Sequence, residues 1–260
     1  MIDIEKAKKE FDKYVANYNP DDIQIALKIR HIHRVTDVAK KIAIDLKLEE
    51  EDLKLAELIA LLHDIGRFEQ VKRYHTFADS KSINHGKFGV ELLKSGLIRN
   101  FVETSKYDDI IYNAILNHNR DKIEDNLDER TKLHCKIVRD ADKIDIFNVL
   151  INDSIEAAYN GCTPKEMSES VLTDKIYNQF VENKCIEYKD RKTNADIVVG
   201  HVSYVYDFNF NIGLKIIKEQ NYIERLIDKM NFKNEDTIQK FKNMKKMAEE
   251  YMDKRLTSME

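Results

Sequence analysis

Five stretches of this sequence put an imidazole or a carboxylate where helical spacing asks for an apolar side chain. His31 falls in line with Leu27, Val35, Val38 and Ile42, an apolar stripe interrupted once. His33 has mostly polar helical neighbours, so His31 is the better inward candidate; a core histidine bonded to a backbone carbonyl is the plain alternative. His63-Asp64 ends the run ALIALL, where packing alone does not explain two polar residues. A buried carboxylate needs a partner or a cation, and the end of a helix offers free carbonyl groups and partial negative charge. His118 closes the stripe Ile111, Ala114, Ile115, and His85 sits beside Gly86, Phe88, Gly89 and Leu92. In RDADKID, Asp142 lies with Cys135, Val138, Ile146 and Val149, and Asp140 with Leu133, Ile137, Ile144 and Phe147; periodicity does not choose between them. A salt-bridged surface through Arg139 and Lys143 is the other reading of that cluster.

Neutral imidazoles and carboxylates suit borderline divalent ions such as Mn, Fe, Co, Ni or Zn, with Mg also compatible. A carboxylate can bridge two ions. A pair of ions about 3.5–4 Å apart activates water and clamps phosphoryl oxygens.

The elements that must position these groups are helices. Glycine and proline number only 7 and 2, too few for the turns of sandwiches or propellers. Neither common phosphate-binding glycine loop occurs. The pattern predicts an all-α protein with helices at about 3–18, 20–46, 51–65, 80–93, 107–118, 131–152, 164–183, 196–219, 221–230 and 234–256. Asn19-Pro20 is the expected start of the first long helix. Residues 66–79 read as a mixed basic and aromatic loop, a candidate lid whose Phe68, Tyr74 and Phe77 either close the pocket or stack on a base, or else serve as core anchors. No linker separates the halves, so a single domain is expected over 1–260, with a core at about 20–152 and a helical extension at about 153–260.

Lys+Arg (43) nearly balance Asp+Glu (47), which gives no sign of a nucleic-acid surface. No apolar run reaches the length of a membrane span, and the charged start of the chain has no leader pattern. Three widely spaced cysteines, Cys135, Cys162 and Cys185, read as reduced thiols. The expected location is cytoplasmic, and a homo-oligomer is compatible with all of this.

In order, these pieces resemble the HD superfamily of metal-dependent phosphohydrolases over about residues 25–150. His31-Ile-His-Arg-Val35 matches the H-x-x-R-V helix, and Leu62-His63-Asp64-Ile65-Gly66 the HD doublet. Asn84-His85-Gly86, Asn117-His118-Asn119-Arg120 and Ala141-Asp142-Lys143 complete the set. LLHDIGRF through NHGKFGVELL, with the later VYDFNF, is similar to a bacterial subgroup of uncharacterised HD proteins. The resemblance implies an HD helical bundle with additional C-terminal helices. It implies that His31, His63, Asp64 and Asp142 hold one metal, with Asp64 bridging to a second held by His85 and His118; it thus selects Asp142 over Asp140. The implied activity is hydrolysis of a phosphate ester, on a nucleotide or other small phosphorylated metabolite, by a metal-activated water. Asp64 and Arg67 would be catalytic, and Arg67, Lys87 and Arg120 would hold the phosphate, a solvated role being favoured for Arg73. The chain lacks the His-His pair and G-Y-P of the cyclic-dinucleotide phosphodiesterases. It also lacks the HDxxED of the hydrolases of hyperphosphorylated guanosine. Some HD-fold di-iron oxygenases share this ligand order, and a non-catalytic metal or nucleotide sensor is the other competing function.

Overall fold

The computed structural model describes residues 2–159 and 161–258 and, among the described residues, contains helices and no strand. Helix α1 (Ile4–Val15) is capped by Asp3, which accepts from the Lys6 N–H, and buries Ile4, Ala7, Phe11 and Val15 at helical spacing. Asp22, rather than Asn19, opens α2 (Ile23–Asp45) by accepting from the N–H groups of Gln24 and Ile25. The Asn19 side chain is spent in a local turn, accepting from the Asp21 N–H. Helix α3 (Glu50–Leu62) is buried without a break from Leu55 to Leu62.

The stretch expected to be a loop is largely helical. Helix α4 (Gly66–Tyr74) follows the His63-Asp64 doublet after one turn, starting with an Arg67 N–H bond to the Asp64 carbonyl. Its charged look conceals an inner face of Gly66, Phe68, Gln70 and Val71, and it ends where His75 turns left-handed (φ 54°). Phe68 is fully buried in the core, so it is no lid residue.

Asn84 caps α5 (His85–Leu92), which runs through a widened turn at Leu93–Leu97 into α6 (Ile98–Phe101). Gly96, at φ 111°, supplies the left-handed residue that lets the chain turn there. Helices α7 (Asp108–His118) and α8 (Glu129–Asn152) follow. The rest of the chain holds α9 (Ile155–Ala158), α10 (Pro164–Glu169), α11 (Asp174–Val181), α12 (Asn194–Val202), α13 (Asn211–Glu219), α14 (Tyr222–Met230) and α15 (Glu235–Thr257).

Two helices expected as continuous are broken. Between α10 and α11 the Leu172 N–H goes to Thr237 Oγ1 and the Thr173 N–H to Asp196 Oδ1. Side chains from α12 and α15 thus take the donors a helix would have used. Between α12 and α13 a tight turn at Ser203–Tyr206 intervenes, and the Phe208 ring packs against Gly213 so closely that a Cβ there would lie 2.8 Å from it. No helix among the described residues is long and apolar enough to cross a membrane.

The chain divides into two compact units, Met1–Asp145 and Ile146–Glu260. The core of the first gathers Phe11, Ile32, Leu58, Leu61, Leu62, Phe68, Leu93, Ile111 and Ile115. The second buries Met167, Ile176, Phe180, Val198, Leu214, Leu226, Phe241 and Met244.

Gly66 lets α4 and α5 meet backbone to backbone. A Cβ there would stand 2.5 Å from the His85 carbonyl oxygen and 2.7 Å from the Gly89 nitrogen. Gly66→Ala is therefore expected to cost about 3 kcal/mol by forced overpacking, because neither neighbour can rotate away. Denaturant unfolding measures it; an unchanged midpoint would show that the two helices part freely.

Candidate metal centre

Two histidines are anchored by the helix ends that carry them. His63 follows α3 and points Nδ1 at the Ala60 carbonyl, 2.6 Å away; His118 ends α7 and points Nδ1 at the Ile115 carbonyl, also 2.6 Å away. Carbonyls of a last turn have no helical donor, and an imidazole three residues on supplies one. The other two histidines use carboxylates. On α2, His31 Nδ1 lies 2.7 Å from Asp145 Oδ2, and Asp145 is held by Arg34 at 2.6 and 3.0 Å. At the start of α5, His85 Nδ1 lies 2.7 Å from Asp79 Oδ2. Asp79 Oδ1 in turn accepts from Arg67 at 2.9 Å and from the fully buried Gln70 at 3.0 Å.

Carbonyls and carboxylates only accept, so all four Nδ1 atoms carry the proton. The Nε2 atoms are left to face one another. His85 Nε2 and His118 Nε2 stand 3.0 Å apart, and with both Nδ1 protons spent, lone pair faces lone pair. Asp64 lies between two sets of such atoms. Its Oδ2 is 3.7 Å from His31 Nε2 and 3.5 Å from His63 Nε2, and its Oδ1 is 3.4 Å from His85 Nε2 and 3.8 Å from His118 Nε2. Asp142 Oδ1 closes the first set, 3.1 Å from His31 Nε2 and 3.8 Å from His63 Nε2. Donors about 2.0–2.2 Å from one ion stand roughly 3–3.5 Å from each other, close to these separations. His63 Nε2 and Asp64 Oδ1 are buried and have no hydrogen-bond partner. Three overlapping groups are close enough to share an ion: His31-His63-Asp64, His63-His118-Asp142 and Asp64-His85-His118.

The electrostatics ask for positive charge. Burial opposes ionisation of Asp64, but Lys28, His63, His85 and Arg67 outweigh it and hold the carboxyl well below its usual range. Asp142 is lowered in the same way by His31 and His63. Burial, helped by Arg67, pushes His85 down to about 4; burial, helped by His63, does the same for His118. His31 moves the other way: burial and Lys28 oppose its proton, yet Asp142 and Asp145 raise its affinity for one. Lys28 adds positive charge at the same carboxylate, its Nζ donating to Asp64 Oδ2 at 2.5 Å.

The structure thus brings His31, His63, Asp64, His85, His118 and Asp142 into one buried cluster, and Asp142 rather than Asp140 faces the histidines. Arg67 is at the rim. Its Nε lies 3.5 Å from Asp64 Oδ1 without a hydrogen-bond partner, while Nη1 is tied to Gln70, the Phe77 carbonyl and Asp79. Lys87 is exposed on α5, and Arg120 is exposed and ion-paired with Glu124; neither bonds to a cluster side chain among the described residues. Arg73 is paired with Glu69, and Tyr74 is 44 % exposed. Sequence reasoning missed Lys28, Asp79 and Asp145. Asp145 and Lys28 each stand about one helical turn from Asp142 and His31, a spacing that other charged residues share and that by itself marks neither; Asp79 lies in a short turn with no periodicity.

Residues 29–146 match the HD domain family model. No curated protein and no solved structure matches the chain. The matched span opens on α2 just ahead of His31 and closes on α8 just beyond Asp142, enclosing the whole cluster. Residues 29–146 of this chain are thus an HD domain, and every member of the cluster lies within it.

Proposed function

We propose that the protein is a metal-dependent phosphohydrolase that cleaves the phosphate ester of a nucleotide or other small phosphorylated metabolite. The observation that carries this reading is the pair of imidazole lone pairs held 3.0 Å apart at His85 and His118, beside a buried, ionised Asp64. A divalent cation between the two nitrogens would make that arrangement favourable. His31, His63, Asp142 and Asp64 Oδ2 would hold one divalent ion, and Asp64 Oδ1, His85 and His118 a second. Their imidazole content favours Mn, Fe, Co, Ni or Zn. Ions bound there would lower the pKa of a water and neutralise charge on phosphoryl oxygens.

The chain's own groups do the rest. Asp145 and Asp79 fix the rings of His31 and His85 and strengthen them as donors. Arg67 brings a guanidinium to the rim of the same carboxylate, where it can bind phosphate oxygens through Nε. The ligand side chains are almost wholly buried, Asp142 being the most open at 20 %, so the approach is from that side of the cluster.

Elemental analysis of the purified protein, paired with a screen of phosphomonoesters, nucleotides and cyclic nucleotides, tests the reading. Two divalent ions per chain with phosphate release are expected. Iron with oxygen-dependent turnover and no phosphate release would make it an oxygenase instead. Nucleotide binding without turnover in the fully metallated protein would make it a sensor.

A further inference from the structure

The cation nearest Asp64 is not among the residues the ligand order of the cluster singles out. Lys28, on α2 before His31, holds Nζ 2.5 Å from Asp64 Oδ2 with 16 % of its side chain exposed. An ammonium is strongly hydrated and usually reaches for water along a flexible stem. Here it points inward, to the oxygen that also faces His31 and His63. Arg67 Nε approaches the other oxygen of the same carboxylate. Lys28 and Arg67 therefore bracket Asp64, one on each oxygen. Both also reach the Phe77 ring, with Nζ of Lys28 5.8 Å and Cζ of Arg67 5.4 Å from its centre.

We propose that Lys28 is a substrate-contacting residue, and that its ammonium binds the phosphoryl oxygens of the substrate opposite Arg67. The proposal rests on the metal-dependent reading above. With Asp64 committed to divalent ions, Lys28 has lost its counter-charge and stands next to like charge. Its stem keeps Nζ at the rim, so it needs an anion at that place. A phosphoryl group brings two negative charges and oxygens that an ammonium binds as a point charge. The ammonium that approaches Asp64 Oδ2 thus serves as the second arm of a phosphate clamp when divalent ions are bound. Arg67, tied down through Nη1 by Gln70, Phe77 and Asp79, is the fixed arm, and Lys28 the mobile one.

Calorimetric titration of the Mn2+-loaded protein with inorganic phosphate tests this on the wild type, Lys28→Gln and Lys28→Arg, with metal content checked for each. Lys28→Gln is expected to weaken phosphate binding by about tenfold or more, the worth of one charge-assisted hydrogen bond. Lys28→Arg should bind within about threefold of wild type, since the charge is kept. Equal phosphate affinity in wild type and Lys28→Gln would overturn the proposal while leaving the phosphohydrolase reading standing. Loss of affinity in Lys28→Arg as deep as in Lys28→Gln would overturn the role of charge. A metal-loaded wild type that binds no phosphate would remove the phosphohydrolase reading itself.

Discussion

Asp64→Ala is expected to reduce the metal content from two ions per chain to one at most, and to lower phosphate-ester hydrolysis by about a thousandfold or more. The reason is the division of labour between two oxygens. Oδ2 faces His31 and His63, and Oδ1 faces His85 and His118. Without the carboxylate the first set keeps three donors, His31, His63 and Asp142, and can still hold an ion weakly. The second keeps two imidazoles, fewer than the three protein ligands usual for a catalytic zinc site. Asp64→Asn separates charge from shape. It keeps one neutral carbonyl oxygen and most of the packing, so it should fold like wild type yet still lose the second ion. Elemental analysis and kcat/KM read both variants. Full hydrolytic activity in Asp64→Ala would falsify the proposed centre.

The side chains of this cluster are legible in the sequence for a local reason. His31, His63-Asp64, His85 and His118 each interrupt an apolar stripe or run, and a polar group in such a place must be satisfied by something. What was not legible depends on groups brought together from far along the chain. Asp79 reaches His85 from a short turn with no periodicity, and Lys28 lies on a face of α2 that reads as solvated until Asp64 arrives beside it. Asp145 sits in a run of alternating charges, RDADKID, where helical spacing gives every carboxylate an apolar or charged neighbour and marks none of them.

The same limit governs the fold. Helices α1 to α3 follow their hydrophobic periods, but α4 reads as a loop because its charged residues outnumber the few that pack inward at Gly66, Phe68, Gln70 and Val71. The break between α10 and α11 is caused by Thr237 and Asp196, which no local window contains. Propensity and period set what a segment can be; a distant side chain that captures a backbone donor decides where it stops.

Stripping the metal should lower the melting temperature at pH 7.5 by about 10 °C, and acid should weaken the metal-free protein further. An ion held by the folded cluster and not by the unfolded chain stabilises by about 4 kcal/mol at a thousand times its Kd. For a chain of this size, each kcal/mol is roughly 2–4 °C. The metal-free fold also has a built-in cost, since His85 and His118 keep two lone pairs face to face. The pH effect follows from burial, helped by Arg67 at His85, by His63 at His118 and by Arg191 at His201. It holds His85 and His118 down to about 4 and His201 to about 3. The unfolded chain takes up protons on these rings below about pH 6.5, and the folded one does so only near 3–4. Their contribution to stability is therefore complete above about pH 6.5 and is lost as the pH falls, at up to about 1.4 kcal/mol per pH unit for each ring. His31 runs against them, because its affinity for a proton is raised. Its share is complete below about 6.5 and fades as the pH rises, so it offsets only part of what His85, His118 and His201 contribute, and burial lowers His63 and His134 as well. Protons also compete with ions for Nε2, so the gap between metal-loaded and metal-free protein should narrow in acid. Thermal unfolding of chelator-treated and Mn2+-reconstituted protein at pH 7.5 and 5.0 measures all of this. The metal-free protein should melt lower at pH 5.0 than at 7.5. If instead chelation leaves the pH 7.5 transition where it was, the four histidines hold no ion, and their convergence needs another cause.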